Sequence, residues 1–329
     1  MQVMSKKIIK KIVVLGTGGT IAGTAVTAGD NIGYTAAQVG VVQLIEAVPA
    51  LALLPCPLVC EQVAQLDSKD MSFAVWQALA ARVSHFLAQP DVQGIVITHG
   101  TDTLEETAYF LHAVLAPALV ADKPVVLTCA MRPATAFAPD GPQNLLDAFA
   151  VAMTPGAAGV VAVCAGTLHT AVEVQKIHPY RLDAFRSGDC GPLGFVEENC
   201  VRLVNNWPVA LANTAKLAIK NIVSVKHWPR VDIVMSHAGA SGLLVDALVL
   251  QAPGHADPVC GIVVAATGNG TVHHDLEAAL VRAQTAGIKV LLATRCAEGR
   301  VLPLPGNRWP DSDGLSPVKA RIALMLSLL

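Results

Sequence analysis

Charge is scarce in this sequence, and neither sign dominates. Charged residues make up 15% of the 329, with 23 Lys and Arg against 25 Asp and Glu, a formal net charge of -2. Nucleic acids and anionic membranes are held largely by clustered positive charge, so this balance argues against both as partners. The one basic cluster, Lys6, Lys7, Lys10 and Lys11, precedes the first strand candidate and reads as a solvated terminus. No long apolar segment ending in a cleavage site follows it, so a secretion signal is not read there. The expectation is a cytoplasmic protein, or a periplasmic one if the native start differs.

Long apolar runs are missing too, although hydrophobic residues make up 53% of the chain. The longest stretch without Lys, Arg, Asp or Glu, residues 148–172, is broken by Pro155-Gly156 and diluted by Ala, Gly and Thr. Two elements of a buried core explain it better than a membrane helix. The 8 cysteines are scattered; only Cys56 and Cys60 lie close together, with no second pair at zinc-finger spacing. Cys129 and Cys164 fall inside strand candidates, so reduced, structural thiols are expected. Internal repeats and low-complexity tracts are absent.

What is present is alternation. Almost continuous apolar runs at residues 11–15, 94–98, 124–129, 159–164, 231–236, 261–265 and 289–293 read as strands covered on both faces. Between them, residues 73–88, 104–116, 143–153 and 274–286 repeat apolar positions every three or four residues, as helices do. The pattern predicts an α/β fold with a mostly parallel sheet. Residues 205–230 lack a strong period and hold Trp207-Pro208 and Trp228-Pro229. They read as a linker between a larger N-terminal domain, 1–204, and a smaller α/β C-terminal domain, 231–329.

In open parallel sheets, ligands bind at the carboxyl ends of the strands. Two threonine-rich turns sit there, Gly16-Thr17-Gly18-Gly19-Thr20 and His99-Gly100-Thr101-Asp102-Thr103. The first fails as a dinucleotide fingerprint because Ile21 stands where the last glycine belongs, and it lacks the lysine of a phosphate loop. It does offer the Thr20 hydroxyl on flexible glycines, which suits an acyl-transfer nucleophile or equally a helix cap. Thr101 beside Asp102 suits ammonium binding or water activation, or again a cap for the helix that begins Leu104-Glu105-Glu106. Taken singly, both turns stay ambiguous.

Together they resemble the bacterial asparaginase/glutaminase family along nearly the whole chain. The carrying segments are TGGTIAG at 17–23 and ITHGTDTLEETAYFL at 97–111, supported by AMRP at 130–133, DGPQNL at 140–145 and GPLG at 191–194. The resemblance implies an L-asparaginase in which Thr20 attacks the side-chain amide and Tyr34, on a lid, activates that hydroxyl. It implies that Ser68 binds the substrate's α-carboxylate; from its surroundings alone Ser68 reads as a helix cap. Thr101 would polarise the hydrolytic water, Asp102 grip the α-ammonium, and Lys176 complete a Thr–Asp–Lys relay. Asparagine is expected to be preferred over glutamine, with a broad glutaminase-asparaginase or a non-catalytic amino-acid binding protein of the same fold as alternatives.

The chain departs from the family pattern in places. Lys69 stands where many members have a substrate-contacting glutamine, and the resemblance makes it a candidate for the same contact. The loop Gly268-Asn269-Gly270-Thr271 matches one that reaches a neighbouring subunit's site, with Thr271 where asparagine or serine is common. The resemblance implies a homotetramer with Asn269 and Thr271 at such a contact, and no cofactor or metal. His273, His274 and Asp275 read as a solvated helix start, and His99 as structural support for its turn.

Overall fold

The computed structural model describes residues 9–27, 29–208, 219–251, 254–302 and 304–329, so Lys6 and Lys7 lie outside it. The chain divides into two compact units, residues 1–224 and 225–329. The first begins with β1 (Lys11–Gly18), the short strands β2 (Thr24–Ala25) and β3 (Tyr34–Thr35), then β4 (Leu58–Leu66) and β5 (Val92–Thr98). It continues with β6 (Val125–Thr128), β7 (Val160–Cys164), β8 (Thr167–Thr170), the short pair β9 (Gln175–Lys176) and β10 (Phe185–Arg186), β11 (Gly194–Glu197) and β12 (Cys200–Leu203).

Eight of these strands form one sheet in the order β12-β11-β8-β7-β6-β5-β1-β4. From β4 to β7 the pairing is parallel; β8, β11 and β12 extend the sheet antiparallel. The central strands are the expected apolar runs, and β6 and β7 are buried at every position. Strand β4 escapes the sequence pattern because it is an edge strand carrying Glu61, Gln62 and Gln65. The helices of this unit are α1 (Val41–Glu46), α2 (Phe73–Leu87), α3 (Leu104–Val114), α4 (Pro117–Val120), α5 (Gly141–Met153) and α6 (Ile219–Ser224). Leu145, Ala148 and Phe149 of α5 join Val126 and Val163 of the sheet in one buried cluster.

The apolar stretch 148–172 is thus the end of α5 followed by β7 and β8. Among the described residues, no helix is long and apolar enough to cross a membrane. Cys129 and Cys164 end neighbouring strands with their Sγ atoms 3.1 Å apart, and burial pushes the Cys129 thiol up. Helix α6 falls inside the segment expected as a linker, of which residues 209–218 lie outside the description. It belongs to the first unit because Ile222 is fully buried and its carbonyl accepts from Gln77 Nε2 of α2 at 2.9 Å.

The second unit stacks β13 (Arg230–Met235), β14 (Val259–Ala266) and β15 (Lys289–Thr294) in parallel, in that order. Its helices are α7 (Leu243–Gln251), α8 (His274–Thr285) and α9 (Pro317–Ser327). They enclose a separate core around Ile262, Val264, Leu276 and Leu280.

In the large sheet, β1 lies between β4 and β5. The chain leaves β1 to one side to form β4, then crosses back to form β5 on the other. This reversal opens a crevice past the carboxyl ends of β1 and β5, the standard ligand position in open α/β sheets. Both threonine turns follow those two strand ends.

Candidate active site

Two glycines bring the turns together. Gly19 follows β1 with φ +83, and a Cβ built on it would lie 2.3 Å from the Cα of Gly100, which follows β5. A Cβ on Gly100 would lie 2.4 Å from Ser68 Oγ. No larger residue fits either place, so the chain segments bearing Thr20, Ser68 and Thr101 meet backbone to backbone.

Thr20 opens a single 3₁₀ turn and is 6% exposed. Its hydroxyl does not cap that turn; Oγ1 shares a hydrogen bond of 2.7 Å with the Tyr34 phenol. Tyr34 lies on β3, which pairs antiparallel with β2, Ala25 facing Tyr34. The hairpin is held from outside by residues with no motif signal of their own. Ala25 N–H donates to Thr135 Oγ1 at 2.8 Å, and Ala134 N–H to the Gly23 carbonyl at 2.9 Å. Asp140 fixes that strap in turn, accepting from Met131 and Arg132 N–H, both at 2.9 Å. DGPQNL therefore contributes an anchor for the hairpin at the start of α5.

Thr101, 5% exposed, and Asp102 do not cap α3 either. Thr103 is the N-cap residue, and its hydroxyl donates to the Ser68 carbonyl at 2.8 Å instead. Lys176 Nζ donates to Thr101 Oγ1 at 2.8 Å and to Asp102 Oδ1 at 2.6 Å. The lysine side chain is 17% exposed and the aspartate 52%, so the ammonium sits inside while the carboxylate also faces outward. The three residues expected to form a relay are in mutual contact. Lys176 comes from β9, which pairs with the two-residue β10.

Ser68 is buried, and its Oγ accepts the Asp102 N–H at 3.2 Å. It does not cap a helix. Asp67 caps the short turn 68–70 and Ser72 caps α2, which leaves the Ser68 hydroxyl to the site. Lys69 is turned to its neighbours, with Nζ 2.8 Å from Asp67 and 3.1 Å from Asp70; those hydrogen bonds raise its pKa.

Asn269 and Thr271 belong to the second unit and bond within it. Asn269 accepts from Leu302 N–H at 2.6 Å and donates to the Leu302 carbonyl at 3.2 Å. Thr271 shares a 2.8 Å bond with the Thr267 hydroxyl. His273, His274 and Asp275 present ligand atoms within 4.8 Å of one another on a mostly exposed surface. His273 Nδ1 caps α8 by accepting from Asp275 N–H at 3.3 Å, as the expected helix start requires.

Fold and site together define an α/β amidohydrolase. The chain belongs to the asparaginase family: the model "Asparaginase, N-terminal" matches residues 11–209 and "Glutaminase/Asparaginase C-terminal domain" residues 230–329. It is 36% identical to L-asparaginase 2 of Bacillus subtilis, over 98% of this chain and 84% of that one. It is 35% identical to the glutaminase-asparaginase of Pseudomonas fluorescens biotype A, over 99% and 88%. The crystal structure of a probable cytoplasmic L-asparaginase from Campylobacter jejuni superposes with a TM-score of 0.88 at 36% identity, covering 97% of this chain and 95% of that one.

His99 supports the second turn from below through a buried chain of hydrogen bonds. Its Nδ1–H donates to the Gly100 carbonyl at 2.7 Å. That leaves Nε2 to accept from the Thr107 hydroxyl at 2.9 Å, and Thr107 Oγ1 accepts from Trp76 Nε1 at 2.9 Å. Burial drives the His99 pKa from 6.5 down to about 4. Between those values the unfolded chain binds a proton that the folded one refuses, so this contribution is whole above pH 6.5 and is lost as pH falls toward 4. The full loss is about 3 kcal/mol, at roughly 1.4 kcal/mol per pH unit. Urea unfolding at pH 7, 5.5 and 4.5 should show this decline, and His99→Gln should flatten it. Equal slopes for both proteins would show that another group carries the effect.

Proposed function

We propose that this protein hydrolyses L-asparagine to L-aspartate and ammonia through an ester formed on Thr20. The observation that carries the reading is the partnering of the two threonines. Each lies at a strand end of the switch-point crevice, and each bonds a proton-transferring side chain instead of capping a helix. A hydroxyl is a weak nucleophile until a neighbour orients it and draws off its proton, and Tyr34 is placed to do so for Thr20.

In the first step, Thr20 Oγ1 bonds the side-chain amide carbon, the C–N bond breaks, and ammonia leaves carrying the hydroxyl proton. In the second, water adds to the ester carbon and the bond to Thr20 Oγ1 breaks, giving aspartate and restoring the hydroxyl. Thr101 orients that water, with Lys176 and Asp102 setting the direction of its hydrogen bond. Asp102 also offers its outward oxygen to the substrate's ammonium. Ser68, accepting through Oγ, has its own proton to donate to the substrate carboxylate. Lys69 remains at the edge, paired with Asp67 and Asp70, and no substrate contact is assigned to it.

Peptide-resolved mass spectrometry separates the two threonines. Thr101→Val mixed with asparagine should accumulate an aspartyl adduct on the peptide containing Thr20, because the isosteric valine cannot polarise water. Thr20→Ala should form no adduct while keeping its fold. Full turnover by Thr20→Ala, or an adduct on Thr101 in the parent enzyme, would reverse the assignment.

Relatives named asparaginase and glutaminase-asparaginase are almost equally similar, at 36% and 35%, so identity does not select the substrate. Reach does. With the α-groups held by Ser68 and Asp102, one additional methylene displaces the amide from Thr20, a difference worth about 1–3 kcal/mol. We expect kcat/KM for asparagine to exceed that for glutamine by roughly tenfold or more. Equal constants measured side by side would overturn the preference.

The chain is further proposed to act as a homotetramer. In support, α7 exposes Leu243 at 76%, Leu244 at 58% and Leu250 at 80%, an apolar surface of the kind that subunit contacts cover. Sedimentation velocity at micromolar concentration should show a four-chain species carrying the activity. A monomer with full activity would exclude this assembly.

A further inference from the structure

The relay depends on where Lys176 is held, and its own segment holds it weakly. Strand β9 is two residues long, and its ladder partner β10 is equally short. Yet the ammonium, at the end of a flexible four-carbon chain, meets two oxygens at 2.8 and 2.6 Å. Fixing such a side chain costs rotamer freedom even when its backbone is already immobile. A drifting backbone would blur both contacts.

The backbone is pinned by a residue outside the relay. Lys176 N–H donates to Glu105 Oε2 at 2.8 Å, across 71 positions of sequence. Glu105 lies in the first turn of α3, where the helix dipole favours a carboxylate. It is three residues beyond Asp102 on the same continuous run that carries Thr101. One rigid helix start therefore grips the lysine twice, with Thr101 and Asp102 at its ammonium and Glu105 at its backbone.

We propose that Glu105 is a positioning residue for the amide hydrolysis, acting through Lys176 by accepting its backbone hydrogen bond. This rests on the reading of Lys176 as part of the relay. Glu105 bonds Lys176 at its backbone, so removing its acceptor misplaces the ammonium without moving Ser68 or the backbone that carries Asp102. The effect falls on kcat, and KM stays near its original value. Toward Lys176 the bond is to an amide N–H, so a neutral acceptor of the same length serves that contact.

The test is a double-mutant cycle on the full-length enzyme, with asparagine as substrate. Glu105→Ala should lower kcat about tenfold, in the range of coupling between residues of one hydrogen-bonded unit, with KM within about twofold. Glu105→Gln should stay within about twofold of the parent, and Glu105→Asp, one methylene short, should fall with the alanine variant. In a Lys176→Met background, Glu105→Ala should cause no further loss. Amide hydrogen exchange supplies a readout independent of turnover: in Glu105→Ala, exchange at Lys176 should quicken while the sheet strands keep their protection.

An equal loss from Glu105→Ala in both backgrounds, or unchanged exchange at Lys176, would overturn the proposal. So would Glu105→Gln failing as badly as alanine, since that would make charge the operative property. If Lys176→Met alone kept the parent kcat, the relay reading would fall, and the proposal's catalytic claim with it. Exchange at Lys176 would then still decide whether Glu105 holds the segment.

Discussion

Backbone contact between Gly19 and Gly100 is the constraint on which the site rests. Two parallel strands of one sheet end side by side, about 4.8 Å apart, and the turns that follow would diverge if either carried a side chain at the contact. With hydrogen in place of Cβ, the turns close on each other, and Ser68 closes against Gly100 from a third segment. The residues next in line, Thr20 and Thr101, then line one crevice. The topology supplies the opportunity, because the reversal of strand order at β1 leaves this end of the sheet open.

The two threonine hydroxyls have different partners. Tyr34 meets Thr20 on a hairpin outside the sheet, whose position depends on Thr135 and, behind it, Asp140. Thr101 meets an ammonium that the carboxylate beside it also binds; the threonine and carboxylate precede α3, and the lysine reaches them from β9. The first partner comes from a two-stranded hairpin, the second from the short β9–β10 pair. Below both, the buried chain from Trp76 through Thr107 and His99 to the Gly100 carbonyl is neutral, so it steadies the turn without adding charge to it.

The alternation of apolar runs with helical periods was enough to read the fold, because central parallel strands are buried on both faces and leave an unmistakable pattern. It was not enough for β4, which at the sheet edge tolerates Glu61, Gln62 and Gln65, nor for the four-residue strands that turn the sheet antiparallel. Helix α6 was invisible for a related reason: it is six residues long, and its place is set by packing on α2. The site motifs were legible as residue types at strand ends. Each had a capping explanation that local spacing could not dismiss, and only the direction of the hydroxyls removed it.

The sequence by itself determined the chemistry on offer: two threonine turns, a tyrosine between them, and a carboxylate beside the second threonine, all stated in residue identity and order. Tertiary structure decided who meets whom. Lys176 reaches Thr101 across 75 positions and Thr135 reaches Ala25 across 110. It also turned Asn269 toward Leu302, 33 positions away. Such pairings follow from strand order and loop closure over long separations, and neither leaves a period or a spacing in the local sequence.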